Sequence, residues 1–208
     1  MVYNKTIWRR LGLAVCAALL AVGLASPSWA RLVQPRVAPA AEISQTLGQQ
    51  VDMNLSAARA ALLAQGTMTQ PMMTYVAMLS PQNVVPNAPR SYAQGAVGAV
   101  LSGDRLVVRA SFRELSSGLR NYQMDPVDPP NPNITSAFHI HRGSPSENGP
   151  FQYALEVMLN PTGMGGDAQG DFTLTAEQLQ ALNNGMLYID LHTTQNRGGE
   201  LRGMLMSA

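Results

Sequence analysis

The chain has 208 residues, of which 46% are hydrophobic and only 13% charged, and its formal net charge is +1. Its 14 Lys and Arg residues are scattered among 13 Asp and Glu residues and form no basic stripe. Because binding to a phosphate backbone depends on clustered positive charge, this composition argues against nucleic acid as a partner.

The first thirty residues have the three parts of an export signal: a basic start with Lys5 and Arg9, an apolar run over residues 11–25, and small residues ending at Ala30. We expect cleavage after Ala30 and an exported protein, periplasmic or extracellular. The mature chain would have no cysteine and no transmembrane segment, because its remaining apolar runs are shorter than the roughly 20 residues that a span requires. Cys16 also fits a lipoprotein signal, an alternative that remains open.

Residues 31–71 are predicted to contain a Pro- and Ala-rich leader followed by an amphipathic helix that ends near Gly66. The helix is indicated by apolar residues that recur every three or four positions: Ile43, Leu47, Val51, Leu55, Ala58 and Leu62. We expect this apolar face to pack on the chain's own sheet; a docking or dimerisation helix is the alternative.

Residues 72–208 are predicted to form an antiparallel β-sandwich of the mainly β class, because short strand-like segments alternate with turn residues. The predicted strands are 73–79, 94–101, 105–115, 136–141, 152–159, 170–173, 186–192 and 200–206. A turn at Gly103 joins the second and third strands. One short helix precedes the seventh strand, with Thr175 and Gln178 as a capping box and Gly185 at its end.

The sequence has three histidines, His139, His141 and His192, and all of them lie on predicted strands. Two residues at i and i+2 of a strand point to the same side, so His139 and His141 face away from the side that Phe138 and Ile140 would bury. The same alternation places His192 opposite the apolar face of its strand. Three imidazoles are a common ligand set for copper or zinc, so the pattern predicts a metal site.

Four charged neighbours are candidates for a supporting role around this site. Asp190 or Glu200 could accept the second ring N–H of a ligand histidine, as carboxylates often do. Arg142 and Arg202 could draw anions toward a cationic centre. Ordinary solvated surface charges are the alternative for all four.

Eleven methionines follow Met1, among them Met72, Met73, Met78, Met158, Met204 and Met206. We interpret them as gap-filling core residues, with Cu(I) ligation as the alternative. The segment 121–135 is rich in Pro and Asn and precedes the His139 strand directly. A segment of this length is expected to be either a functional lid or disordered.

Several motifs occur in an order that resembles a known family. They are Ala137-Phe138-His139-Ile140-His141-Arg142-Gly143, Asn148-Gly149-Pro150, Leu187-Tyr188-Ile189-Asp190-Leu191-His192-Thr193 and Gly198-Gly199-Glu200-Leu201-Arg202-Gly203. Together they resemble the CHRD domain, named for its repeats in chordin and common in exported bacterial proteins. The resemblance covers residues 75–206.

The resemblance implies an Ig-like sandwich similar to that of copper-zinc superoxide dismutase, in which a His-x-His strand and a later strand histidine hold copper. His139 and His141 match the paired ligands, and His192 matches the later one. The dismutase's bridging histidine, zinc loop and disulfide have no counterpart in this sequence, so a two-metal dismutase site cannot be built.

We therefore expect an exported metal-binding protein, with copper favoured over zinc because of its exported location and spare methionines. Two alternatives remain. One is a non-catalytic structural or interaction module that binds another exported protein, as the chordin repeats imply. The other is a copper-only redox enzyme similar to a dismutase, a prediction that rests on fold analogy alone and is less expected than binding.

Overall fold

The computed structural model describes residues 40–64, 66 and 70–208. The predicted export signal and residues 31–39 of the predicted leader lie outside this part of the chain. The described residues form two antiparallel sheets of six and four strands, with two helices. The predicted mainly β sandwich, its N-terminal helix and the short helix before the His192 strand are therefore confirmed. Neither helix has the length and hydropathy needed to cross a lipid bilayer.

The helices are α1 (Ala40–Leu63) and α2 (Ala176–Asn183). The strands are β1 (Met72–Leu79), β2 (Gln94–Ser102), β3 (Arg105–Arg113), β4 (Phe138–Arg142), β5 (Phe151–Ala154), β6 (Glu156–Leu159), β7 (Gly166–Thr173), β8 (Leu187–Leu191), β9 (Leu201–Met204) and β10 (Met206–Ser207). The six-stranded sheet has the order β10-β1-β2-β3-β7-β6, and the four-stranded sheet has the order β5-β4-β8-β9.

The core lies between the two sheets and is built by alternation along their strands. Val97 from the larger sheet and Ile140 and Ile189 from the smaller one belong to the same buried cluster. Phe112 and Phe138 meet edge to face across the two sheets, with ring centroids 5.7 Å apart. Because one face of the smaller sheet is used by this core, the alternate side chains of β4 and β8 must project from its outer face.

Helix α1 covers the outer face of the larger sheet. Its residues Ala58 and Leu62 form a second buried cluster with Val100 of β2 and Val107 of β3, and Leu55 packs against this cluster. The prediction that the apolar stripe packs on the chain's own sheet is confirmed. This packing also explains why β2 is buried on both faces and reads as a nearly continuous apolar run.

Two predicted strands are each divided between the two sheets. The predicted strand 152–159 is β5 in the smaller sheet followed by β6 in the larger one, and the predicted strand 200–206 is likewise β9 followed by β10. The single residues at these corners, Leu155 and Leu205, are buried in the core. When a strand passes from one sheet to the other at a corner, apolar residues are buried both before and after the corner. The apolar pattern of the sequence is therefore continuous and does not show where the strand changes sheets.

The interpretation of the strand methionines as core residues is wrong. Met78, Met158 and Met206 are 59%, 51% and 53% exposed. Alternation explains Met78, since its neighbours on β1, Ala77 and Leu79, face the core and turn it outward. Met158 and Met206 lie on the two edge strands of the larger sheet, where less of each side chain can be covered.

Candidate metal centre

Strands β4 and β8 are neighbours, and their register brings the candidate site residues together. His139 is paired directly with Asp190, and His141 is paired with Tyr188. His192 comes immediately after the last residue of β8. The ring centroid of His139 lies 5.6 Å from that of His141 and 5.1 Å from that of His192, so the structure brings the three predicted residues into one cluster.

The cluster projects from the outer face of the smaller sheet, yet it is buried. His139, Asp190 and His192 are 1%, 6% and 8% exposed. The cover is provided mainly by residues 119–136, which we call the covering loop. Its Tyr122 ring lies 5.2 Å from the ring of His139, and Phe151 of β5 contacts the same ring at 5.4 Å.

Each histidine uses one ring nitrogen to bind a backbone carbonyl oxygen. The three bonds are His139 Nε2 to Ser136 O at 2.6 Å, His141 Nδ1 to Gly149 O at 3.0 Å and His192 Nδ1 to Arg197 O at 3.0 Å. Because a carbonyl oxygen can only accept, the nitrogen that faces it must carry the hydrogen. In the neutral ring the other nitrogen therefore presents a lone pair.

These other nitrogens converge on one carboxylate oxygen. Asp190 Oδ1 lies 3.8 Å from His139 Nδ1, 3.3 Å from His141 Nε2 and 3.2 Å from His192 Nε2. Asp190 Oδ1 and the Nε2 atoms of His141 and His192 are buried without a hydrogen-bond partner. Buried polar atoms without a partner are costly and uncommon. A cation among them would satisfy all of these atoms together.

The distances from Asp190 to the three histidines are close to those between the ligands of a four-ligand site. Ligand atoms that lie about 2.0–2.1 Å from a tetrahedral zinc ion are separated from each other by about 3.3–3.4 Å. The three distances from Asp190 Oδ1 fall around this value, and the ligand atoms of all four residues lie within 4.8 Å of one another. The three histidines and Asp190 could therefore hold a metal ion.

The electrostatics of the cluster agree with this chemistry. Burial lowers the pKa of His139 to about 4, so this ring is neutral at pH 7 and its Nδ1 can act as a ligand. Burial opposes ionisation of Asp190, but its interactions with His192 and His141 together outweigh this effect, and the pKa of Asp190 lies below its ordinary value. Burial likewise opposes protonation of His192, but the charge and close contact of Asp190 and the hydrogen bond to Arg197 together outweigh this effect and raise the pKa of His192. The carboxylate thus attracts a positive charge to this position.

The four predicted supporting residues occupy different places. Asp190 lies inside the cluster, where it faces the ring nitrogens that do not bond to backbone carbonyls. Glu200 does not reach the rings. It is fully buried and accepts hydrogen bonds from Ser91, Ser116 and Thr193, the residue after His192. Burial would raise the pKa of Glu200, but these hydrogen bonds lower it below its ordinary value.

The two arginines are engaged with other protein groups. Arg142 pairs with Glu177 at 3.0 Å on the surface. Arg202 is buried, and its guanidinium lies 3.6 Å from the ring centroid of Tyr188, which in turn stacks on His141 at 5.1 Å with an angle of 6° between the rings. Arg202 therefore orients His141 through Tyr188 and is not free to attract anions.

Gly149 completes the support of His141. Its carbonyl accepts from the His141 ring, and its N–H donates to the hydroxyl of Tyr188 at 3.0 Å. A Cβ at this position would lie 1.8 Å from the carbonyl oxygen of Arg142, so only glycine allows the close approach. Gly149 lies within one of the sequence motifs, but nothing in the sequence indicates that it supports His141.

Sequence reasoning also missed Tyr122, whose phenol is partly buried over the rings. Burial raises its pKa to about 12, so the hydroxyl is neutral at physiological pH. The available signal was its position in the long segment before the His139 strand, but nothing local indicates that an aromatic residue there folds back onto two histidines.

The fold and the cluster define a class: a β-sandwich domain with a buried group of three histidines and one aspartate that could hold a metal ion. The family model for the CHRD domain matches residues 75–205, well over half of the chain. The chain therefore belongs to the CHRD domain family. Neither a curated protein nor a solved structure is similar enough to match it.

Proposed function

We propose that this protein is an exported metal-binding domain that holds one divalent transition-metal ion with His139, His141, His192 and Asp190. One observation carries the proposal: ring nitrogens fixed as lone-pair donors face a carboxylate oxygen in a buried cluster, and three of these atoms lack any hydrogen-bond partner. A metal ion would accept all of these atoms as ligands, whereas a proton on His192 would join only that ring to Asp190.

The ligand set favours zinc, with Cu(II) as the second choice. Imidazole and carboxylate suit both ions, and a set of four protein ligands of these types is typical of zinc. The thioether argument for copper is weakened, because five of the six strand methionines belong to the larger sheet and the cluster lies on the smaller one. The sixth, Met204, is paired with Tyr188, which separates it from His141.

A closed set of four protein ligands also favours binding over catalysis. Metal sites that activate a small molecule usually keep one coordination position for it. With Asp190 as the fourth ligand, that position is taken. The two alternatives from the sequence, an interaction module and a copper-only dismutase-like enzyme, remain predictions, because no contact among residues 70–208 favours either one.

The test is a calorimetric titration of the purified, metal-stripped chain with Zn²⁺, Cu²⁺ and, as a hard-cation control, Mg²⁺. We expect one Zn²⁺ per chain with a Kd below about 10 µM, equivalent to about 7 kcal/mol of binding free energy, and no binding of Mg²⁺. The variant with His139, His141 and His192 all changed to Ala should lose Zn²⁺ binding. Asp104 is an exposed turn residue outside the cluster, so Asp104→Asn is the matched control and should retain Zn²⁺ binding. If neither Zn²⁺ nor Cu²⁺ binds the folded chain, the proposal is wrong.

A further inference from the structure

A set of charged residues connects the covering loop to the chain segment that follows His192. Asp125 accepts a hydrogen bond from Arg120 Nε at 2.8 Å through one carboxylate oxygen and pairs with Arg197 through the other. Arg120 also donates to the carbonyl oxygen of Arg197 at 3.2 Å. That same carbonyl accepts the hydrogen bond from His192 Nδ1. One carboxylate thus pairs with two arginines, and the backbone carbonyl of one of them accepts from both the other arginine and His192.

Backbone contacts extend the same connection. The amide of Arg120 donates to the carbonyl of His192 at 3.1 Å, and the amide of Thr194 donates to the carbonyl of Gly118 at 2.9 Å. The ring of His192 therefore bonds to the backbone carbonyl of Arg197, and its main-chain carbonyl bonds to the backbone amide of Arg120. Removing the charge of Asp125 would leave these two guanidinium groups close together without a counter-charge.

Tyr122 depends on the same residues. The Arg120 guanidinium lies 4.4 Å from the centroid of the Tyr122 ring, which covers His139 and contacts His192 at 6.1 Å. Tyr122 and Ser136 also line a cavity of about 640 Å³ formed by the covering loop. Tyr122 is thus in contact with the cluster and with this cavity.

We propose that Asp125 is a positioning residue that fixes His192 and holds Tyr122 over the cluster, and that it thereby controls the exchange of the bound metal. This inference rests on the proposed function. It assigns to the covering loop the regulation of metal release, which neither the ligand set nor the family match implies.

The experiment measures the rate at which the zinc-loaded chain transfers its metal to an excess of a chromogenic chelator. Loss of a group that orients a ligand typically costs 10- to 100-fold in metal binding. We therefore expect Asp125→Asn to release zinc about tenfold faster than the wild type, and Asp125→Glu to restore most of the difference. Asp128→Asn is the matched control, since Asp128 is an exposed acid of the same loop without an ion pair to any described residue.

A second pair of variants tests the cover itself. Tyr122→Ala should also accelerate zinc release, whereas Tyr92→Ala, which removes a tyrosine that is 88% exposed, should not. Amide hydrogen exchange of the metal-free chain gives a readout independent of metal: the amides of Arg120 and Thr194 should exchange faster in Asp125→Asn, with the core strands unchanged.

The outcomes separate this inference from the proposed function. If the wild type binds no zinc, the proposed function fails and the role in metal exchange fails with it. If the wild type binds zinc and Asp125→Asn releases it at the wild-type rate, only this inference is overturned. If Asp125→Asn does not fold, Tyr122→Ala provides the test: zinc release from this variant at the wild-type rate overturns the inference.

Discussion

Asp190 Oδ1 lies 3.2 Å from His192 Nε2, and both atoms are buried without a hydrogen-bond partner. The two residues are separated by one position on the chain, and Asp190 is also the cross-strand partner of His139. A carboxylate in this position, equally close to a second histidine nitrogen, is oriented as a metal ligand would be. We therefore expect Asp190 to be a ligand itself and not a carboxylate that only orients a ligand.

The first prediction concerns that distinction. Asp190→Asn keeps the size of the side chain but removes its charge, and it should weaken zinc binding at least about 100-fold, or about 2.7 kcal/mol. The metal-free variant should be less stable than the wild type at neutral pH, because the interactions with His192 and His141 that hold the pKa of Asp190 below its ordinary value are lost. Competition with a chelator of known affinity measures the first effect and thermal unfolding the second. Zinc affinity within tenfold of the wild type would show that Asp190 is not a ligand.

The second prediction concerns stability. A ligand that binds only the folded state adds about 2.7 kcal/mol at a free concentration 100 times its Kd. For a domain of this size, this should raise the Tm by roughly 5 to 10 °C, as measured by calorimetry with and without zinc. The variant lacking all three histidines is the control and should show no zinc-dependent change. An equal shift in that variant would place the bound zinc elsewhere on the chain.

The third prediction concerns the pH dependence that Glu200 confers. Because hydrogen bonds from Ser91, Thr193 and Ser116 hold the pKa of Glu200 below its ordinary value, its ionised form stabilises the fold. This contribution is fully present above the unfolded pKa of about 4.3 and is lost as the pH falls through the lower folded pKa.

Glu200→Gln should therefore cost about 2 to 3 kcal/mol of unfolding free energy at pH 7, because charge-assisted hydrogen bonds are lost. The difference between variant and wild type should shrink as the pH falls below about 4.3. Denaturant unfolding at a series of pH values measures it. A difference that stays constant down to pH 3 would mean that the charge of Glu200 contributes nothing.

The fourth prediction concerns the contact between α1 and the larger sheet. A Cβ on Gly98 of β2 would lie 2.2 Å from the backbone nitrogen of Leu55, so the helix rests directly on this strand. Gly98→Ala should destabilise the chain by about 2 kcal/mol or more, as overpacking against backbone does. Gly48→Ala is the control, since nothing lies within 4 Å of a Cβ there.

Gly48→Ala should stabilise the chain by about 0.5–1 kcal/mol, because alanine is the better residue within a helix. Chemical denaturation of both variants gives the comparison. If Gly98→Ala unfolds at the wild-type denaturant concentration, α1 does not pack tightly on β2.

Local patterns in the sequence determined much of this protein. The apolar stripe ending at Leu62 predicts α1 and its buried face, and Thr175 and Gln178 form the predicted capping box at α2. The alternation of Phe138 and Ile140 with His139 and His141 fixes which side chains face the core. These features could be read because each depends on residues within a turn or two of the chain, where periodicity and capping act.

Only the tertiary structure decided the features that depend on distant segments. The antiparallel pairing of β4 with β8 places Asp190 beside His139, and the covering loop buries a face that strand alternation alone would leave in solvent. The corners at Leu155 and Leu205 likewise cannot be predicted from the sequence, since apolar residues are buried both before and after each corner. Local patterns specify the side of a strand on which a residue lies, but the partner that it meets there depends on how distant segments pack together.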